Sequence, residues 1–159
     1  MKYLKLFIQV VIGLMLLIFS TIASWYEGST LTTAIWEWKH TAIFSNWFNG
    51  SVNQTSDILT IDYFIYAAKF APAYPLAMLL SGTYLIILIG YILFRDKTKL
   101  FSYFLTCIGI VFLVLCSLVS GSPTIGLTIF FYSSLSIGIL AIGVAIIFLV
   151  TNKNKGITT

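Results

Sequence analysis

Apolar residues fall into four long blocks along the chain, with two short polar breaks and one gap of about fifty residues between them. The first block, Leu4 to Ile22, has Gln9 as its one strongly polar residue. At about 1.5 Å per residue it is long enough to cross a hydrocarbon core of ~30 Å. The second runs from Pro75 to Phe94 and stops at Arg95-Asp-Lys-Thr-Lys99, and the third follows from Leu100 to Ser120. Gly121-Ser-Pro-Thr124 then reads as a tight turn, and the fourth block, Ile125 to Val150, ends at Asn152-Lys-Asn-Lys155. The pattern predicts an all-α integral membrane protein, a four-transmembrane-helix bundle forming one membrane domain. Its spans lie at about 4–23, 75–94, 100–120 and 125–150, with a loop over 24–74. The start Met-Lys-Tyr-Leu-Lys, with Ala23 and Ser24 after the run, also has the shape of a secretory signal, but the apolar run exceeds a usual signal core and is read as a retained anchor.

Composition sharpens this picture. Of 159 residues 59% are hydrophobic and 9% charged, against roughly a quarter charged in a soluble domain. Too few polar side chains exist to clothe a water-facing surface, so lipid is the expected surroundings. The net charge of +4 does not indicate nucleic acid, because seven of the nine basic residues flank apolar blocks: Lys2 and Lys5, then Arg95, Lys97 and Lys99, then Lys153 and Lys155. Placing all three clusters in the cytoplasm leaves Lys39 and Lys69 opposite and satisfies the positive-inside rule. Both termini are therefore expected inside, in the cell membrane, with the 24–74 loop outside.

Short connections predict antiparallel neighbours. On the fourth span Ser134, Gly138, Ala141 and Ala145 form a stripe of small residues for close helix packing or for a partner face. Gly82, Gly90, Gly109, Gly138 and Gly143 lie inside spans, where helix packing accounts for them. Cys107 and Cys116 are nine residues apart, half a turn out of phase, so no disulfide between them is expected.

The 24–74 segment is the informative one. It holds all four Trp: Trp25, Trp36, Trp38 and Trp47. From Leu31 to Phe48 periodicity does not separate helix from strand. A helix would group Leu31, Ile35, Trp38 and Ala42 on one face and Trp36, Ile43 and Trp47 on another. A strand would put Trp36, Trp38 and His40 together. Trp favours the membrane–water interface in either case. Ser56 is a plausible N-cap with Asp57 as first helical residue, and Ile58, Ile61 or Asp62, Ile65 and Ala68 recur at helical spacing. This predicts an interfacial helix over 57–70, or one continuous with the second span and kinked at Pro72 and Pro75. Asp62 and Lys69, two turns apart on one stripe, point to solvent, pair within the loop or line a cavity. Asn49-Gly-Ser51 and Asn53-Gln-Thr55 match the N-glycosylation pattern, which has force only where surface proteins are glycosylated.

Chemistry is sparse. No span carries an ionisable residue in its middle, which disfavours an ion-coupled transporter. One histidine, His40, supplies neither a haem pair nor a zinc cluster, and no cofactor, metal site or catalytic set is expected. Candidate binding residues are Trp36, Trp38, His40, Trp47, Asp62 and Lys69. The layout of four spans and a long Trp-rich first outer loop resembles claudin-like tetraspan proteins in topology. The Trp-Gly-Leu-Trp and paired-cysteine signature of their loop is missing, so no function is carried across. The leading expectation is a non-catalytic accessory, assembly or immunity-type subunit, contacting the lipid bilayer and another membrane protein or a second copy of itself. The alternative is a homo-oligomeric channel or small carrier lined by Thr83, Tyr84, Ser133, Ser134 and Ser136. A third is a membrane enzyme pairing Asp62 with Asp57 or Glu37.

Overall fold

A computed structural model describes residues 2–155, and every regular element among them is helical. Residues 1 and 156–159, the last part of the predicted cytoplasmic tail, lie outside the described residues. So do the side chains of Lys2, Lys153 and Lys155 from two of the basic clusters. In chain order the helices are α1 (Lys2–Gly28), α2 (Trp38–Thr41), α3 (Ile43–Asn49), α4 (Thr60–Phe70), α5 (Ala73–Phe94), α6 (Thr98–Val119) and α7 (Ile125–Lys155). Short 3-10 turns at Ser29–Thr32, Ile35–Glu37 and Thr55–Asp57 complete the set. Helices α1, α5, α6 and α7 are long and apolar enough to cross a membrane, which points to a multi-pass membrane protein.

The ambiguous stretch from Leu31 to Phe48 is helical but broken. Ala34 and Ala42 both adopt φ/ψ outside the α region and interrupt it. Leu31, Trp38 and Ala42 are buried, while Trp36, Ile43 and Trp47 are exposed, so the helical grouping holds apart from Ile35, which is also exposed. The helix expected over 57–70 begins instead at Thr60. Asp57 does not start it: its Oδ2 accepts the backbone N–H groups of Asn53 and Gln54 and closes the preceding 3-10 turn. The break before the second span falls at Ala71, and Pro72 receives the first turn of α5 through the Leu76 N–H. Pro75 sits within that first turn, where a missing N–H costs nothing.

The chain divides into two compact units, Met1–Gly82 with Thr124–Leu127 and Thr83–Pro123 with Thr128–Thr159. In the first, α1 carries a buried line of small residues, Ser20, Ser24 and Gly28, leading to Leu31. The serine hydroxyls donate to carbonyls one turn back on their own helix, so the stripe is polar in name but apolar to its neighbour. Gly28 lies directly on the Tyr63 backbone of α4, leaving no room for a Cβ. Gly126 does the same against the Ala68 and Lys69 carbonyls. Helix α4 is thus approached at backbone distance at both ends. Leu31, Trp38, Ala42 and Ile58 form a small core beside it, packed by Val52, Tyr63 and Tyr66.

In the second unit the α6 and α7 backbones approach through glycine. A Cβ on Gly109 would stand 3.0 Å from the Gly138 carbonyl and 2.5 Å from Ile142. Ser134, Gly138, Ala141 and Ala145 are all buried. Phe101, Leu105 and Ala145 form the core there, with Phe94 and Phe104 against it, and Gly90 admits the Phe104 ring. Gly82 makes only ordinary contact, and Gly143 faces open space, so packing does not account for every glycine in a span. Cys107 is exposed and Cys116 buried, as half a turn of phase difference requires.

Gly28→Ala should therefore destabilise the protein by about 1–3 kcal/mol, because its neighbour is backbone and cannot rotate away. Gly143→Ala should be neutral or stabilising by up to ~1 kcal/mol. Thermal midpoints of the two variants in one detergent check the contrast.

Candidate functional site

The polar residues of the segment between α1 and α5, the cap, converge on two points of α4. Neither α3 nor α4 has a capping side chain at its own N-cap position. A helix start leaves backbone N–H groups that need acceptors. Asp62, fully buried, supplies them from the first turn of α4: Oδ1 accepts the Phe44 N–H at 3.0 Å and Oδ2 the Ser45 N–H at 2.8 Å. The Ser45 hydroxyl donates to the same Oδ2 and accepts the Leu59 N–H at 2.7 Å. One carboxylate and one hydroxyl thus take two N–H groups in the first turn of α3 and the N–H of the residue before α4. A negative charge there also meets the positive end of each peptide dipole.

Two turns along, Lys69 closes the other end. Its Nζ donates to the His40 carbonyl at 2.8 Å and to Thr41 Oγ1 at 2.9 Å, where α2 ends. The Thr41 hydroxyl in turn donates to Glu37 Oε2 at 2.8 Å. Burial lowers the Lys69 pKa below the usual lysine value, and the Glu37 carboxylate raises it part of the way back. A third tie is Asn46, whose amide donates to the Trp38 and Ala42 carbonyls while its carbonyl accepts the Val52 N–H. Trp38, the one buried indole in the cap, donates to the Leu31 carbonyl at 2.8 Å.

Of the candidate binding residues, Asp62, Lys69 and Trp38 are therefore internal ties of the cap. Trp36, Trp47 and His40 are exposed. Asp62, rather than Ile61, belongs to the buried stripe with Ile58 and Ala68. The three carboxylates considered for hydrolysis hold separate bonding sets, Glu37 on Thr41, Asp57 on its own turn and Asp62 on α3. Among the described residues no group of three His, Cys, Asp or Glu side chains gathers to hold a metal. The polar residues offered for a channel wall differ in exposure: Ser134 is buried, while Tyr84 and Ser136 are exposed. Ser133, Ser134 and Ser136 also point around α7 rather than along one line. Asn49 and Asn53 spend their amides within the cap, on the Asp57 carbonyl and the Ser51 hydroxyl.

Sequence reasoning missed Ser45 and Thr41, whose roles depend on partners 17 and 28 residues away. It also missed the stripe on α1, although Ser20, Ser24 and Gly28 repeat every four residues and were legible as small-residue spacing. Beside Trp38 the cap opens a groove of about 430 Å³, lined by Ile35, Trp38, Lys39, Asn46, Ser51, Val52 and Asn53.

A family model described as a domain of unknown function, DUF4306, matches residues 7–94. That stretch is just over half of the chain and takes in the whole cap, stopping on the last residue of α5. An uncharacterized protein of Bacillus subtilis (strain 168), YjdJ, is 29% identical over 109 residues, covering 67% of this chain and 100% of that protein. No solved structure matches the chain significantly.

Asp62→Ala should strand the Phe44 and Ser45 N–H groups and cost at least about 2 kcal/mol. Combined with Ser45→Ala the losses should fall short of additive, with a coupling of ~0.5–3 kcal/mol, readable from a double-mutant cycle of thermal midpoints. Lys69 has the opposite sign of pH effect from an ion-paired lysine. Its folded pKa is lowered, so on raising the pH toward the usual lysine range the native state sheds this proton before the unfolded chain does, and stability from this group rises. Lys69→Met should remove that slope from the pH dependence of the midpoint while lowering the midpoint itself.

Proposed function

The chain belongs to the DUF4306 family, and from that premise we propose that it is a non-catalytic accessory, assembly or immunity-type subunit of a membrane complex. In this reading α1, α5, α6 and α7 cross the cell membrane with both termini in the cytoplasm. The basic clusters at Lys2 and Lys5, at Arg95 to Lys99 and at Lys153 and Lys155 support that orientation. The outward faces of these helices support lipid as the surroundings: Phe7, Met15, Leu118 and Ile147 are among many exposed apolar side chains on them. The cap then stands on the outer side.

The carrying observation is the internal use of Asp62. It is fully buried and accepts three hydrogen bonds from within the cap, so its carboxylate is committed to α3 rather than presented to a substrate. The residue best placed for chemistry thus acts as a rivet, and the cap becomes a rigid platform. Its groove offers a partner mixed contacts: the Lys39 ammonium, the Ser51 and Asn53 side chains, and an apolar floor of Val52 and Trp38. An exposed loop of a larger membrane protein suits that combination.

Purification from native membranes in mild detergent should bring down one larger membrane protein in near-stoichiometric amount. Lys39→Glu should release it while the thermal midpoint stays unchanged. A lone monomer under those conditions, or a partner indifferent to Lys39→Glu, would count against this function.

A further inference from the structure

The cap also exposes large aromatic side chains that do not line the groove. Trp36 and Trp47 are 75% and 76% exposed, and the Trp47 and Phe48 rings lie 4.9 Å apart, inclined at 55°. From residue 42 to residue 56 no side chain ionises. Aromatic residues of this size carry ~150–250 Å² each, and water-facing surfaces rarely leave such a patch bare.

Three observations identify what covers it. The cap is fastened to α1 at its last turn, where Gly28 lies on the Tyr63 backbone. Just before that contact, Trp25 and Tyr26 are exposed on α1. Exposed Trp and Tyr at the end of an apolar helix mark the level where it leaves the hydrocarbon, so the cap starts at the headgroup layer. Next, cap side chains bond the broken backbone from within. Asp62 takes the Phe44 and Ser45 N–H groups, Ser45 takes the Leu59 N–H, and Lys69 takes a carbonyl at the end of α2. Irregular backbone near hydrocarbon needs such internal partners. Finally, Lys39, Asn46, Ser51 and Asn53 line the groove, while the exposed Trp47 and Phe48 rings contact each other outside it.

We propose that the face bearing Trp36, Trp47 and Phe48 is a lipid-binding surface seated in the headgroup–acyl boundary of the bilayer. Helices α2 and α3 then form an interfacial wedge fixed to the end of α1, with the two indole N–H groups free to meet lipid carbonyls and phosphates. The inference rests on α1 crossing the membrane and is independent of any protein partner at the groove.

Full-length protein carrying Trp25→Phe, reconstituted in phosphatidylcholine vesicles, retains three indoles, of which Trp38 is buried. Lipid brominated high on its acyl chains should quench roughly half or more of the emission, and lipid brominated near the chain ends should quench less. Adding Trp36→Phe and Trp47→Phe should abolish the quenching with helical content unchanged. Emission untouched by bromolipid but quenched by aqueous iodide would put the patch in water and overturn the proposal. Emission reached by neither quencher would place a protein chain over the patch, a second copy or another subunit, and overturn it equally. Either failure leaves the Lys39→Glu co-purification result standing, so the two readings fail separately.

Discussion

Breaking a helix into short pieces creates a problem at every break, because each new start exposes N–H groups and each new end exposes carbonyls. Between α1 and α5 the chain makes several such breaks within about forty residues, near a predicted membrane surface where water is restricted. Asp62 resolves the hardest of them. Placed in the first turn of α4, it reaches the first turn of α3 and, through Ser45, the residue preceding its own helix. The same helix returns Lys69 to the end of α2 two turns later. With both ends of α4 engaged, Leu31, Trp38, Ala42 and Ile58 are held where they close a small core. Without the carboxylate that core would have to hold two uncapped helices on four side chains.

A second feature is close backbone approach through glycine, which for helices that cross a membrane supplies attraction that hydrophobicity cannot. Both units contain it. Gly28 admits α4 to the α1 backbone, and Gly109 with Gly138 brings α6 onto α7. The serines of these stripes, Ser20, Ser24 and Ser134, are buried. Those on α1 donate inward to their own helix, so they thin the interface without leaving an unpaired hydroxyl. Small polar residues here serve as spacers, a role that differs from lining an aqueous path.

How much of this was legible in the chain depends on range. The four long helices follow from composition and length, properties that each block carries by itself. The stripe on α7 was readable because helical periodicity is local, and the stripe on α1 was readable by the same rule. The cap was readable only in part. Grouping Leu31, Ile35, Trp38 and Ala42 against Trp36, Ile43 and Trp47 holds for all but the exposed Ile35, yet nothing local showed that Ala34 and Ala42 would break the helix. Asp57 looked like the start of a helix because an acidic residue after Ser56 fits that position. Its carboxylate instead folds back on Asn53 and Gln54, a choice between two nearby sets of donors that propensity does not decide. Asp62 and Lys69 were visible as charges on one stripe, but their partners are 17 to 29 residues away, beyond any periodic signal.

The stretch matched by the family model contains every member of this arrangement: Glu37, Thr41, Ser45, Asp62 and Lys69, and both sides of the contact between Gly28 and Tyr63. These residues depend on one another physically. Asp62 holds the start of α3, and the same helix carries Asn46, whose carbonyl holds Val52 at the groove. The groove and the exposed aromatic residues are two products of one folded segment, since none of Trp36, Trp47 and Phe48 lines the groove. An apolar surface asks that the backbone beneath it find its partners inside the protein. The buried carboxylate supplies two of them, at Phe44 and Ser45.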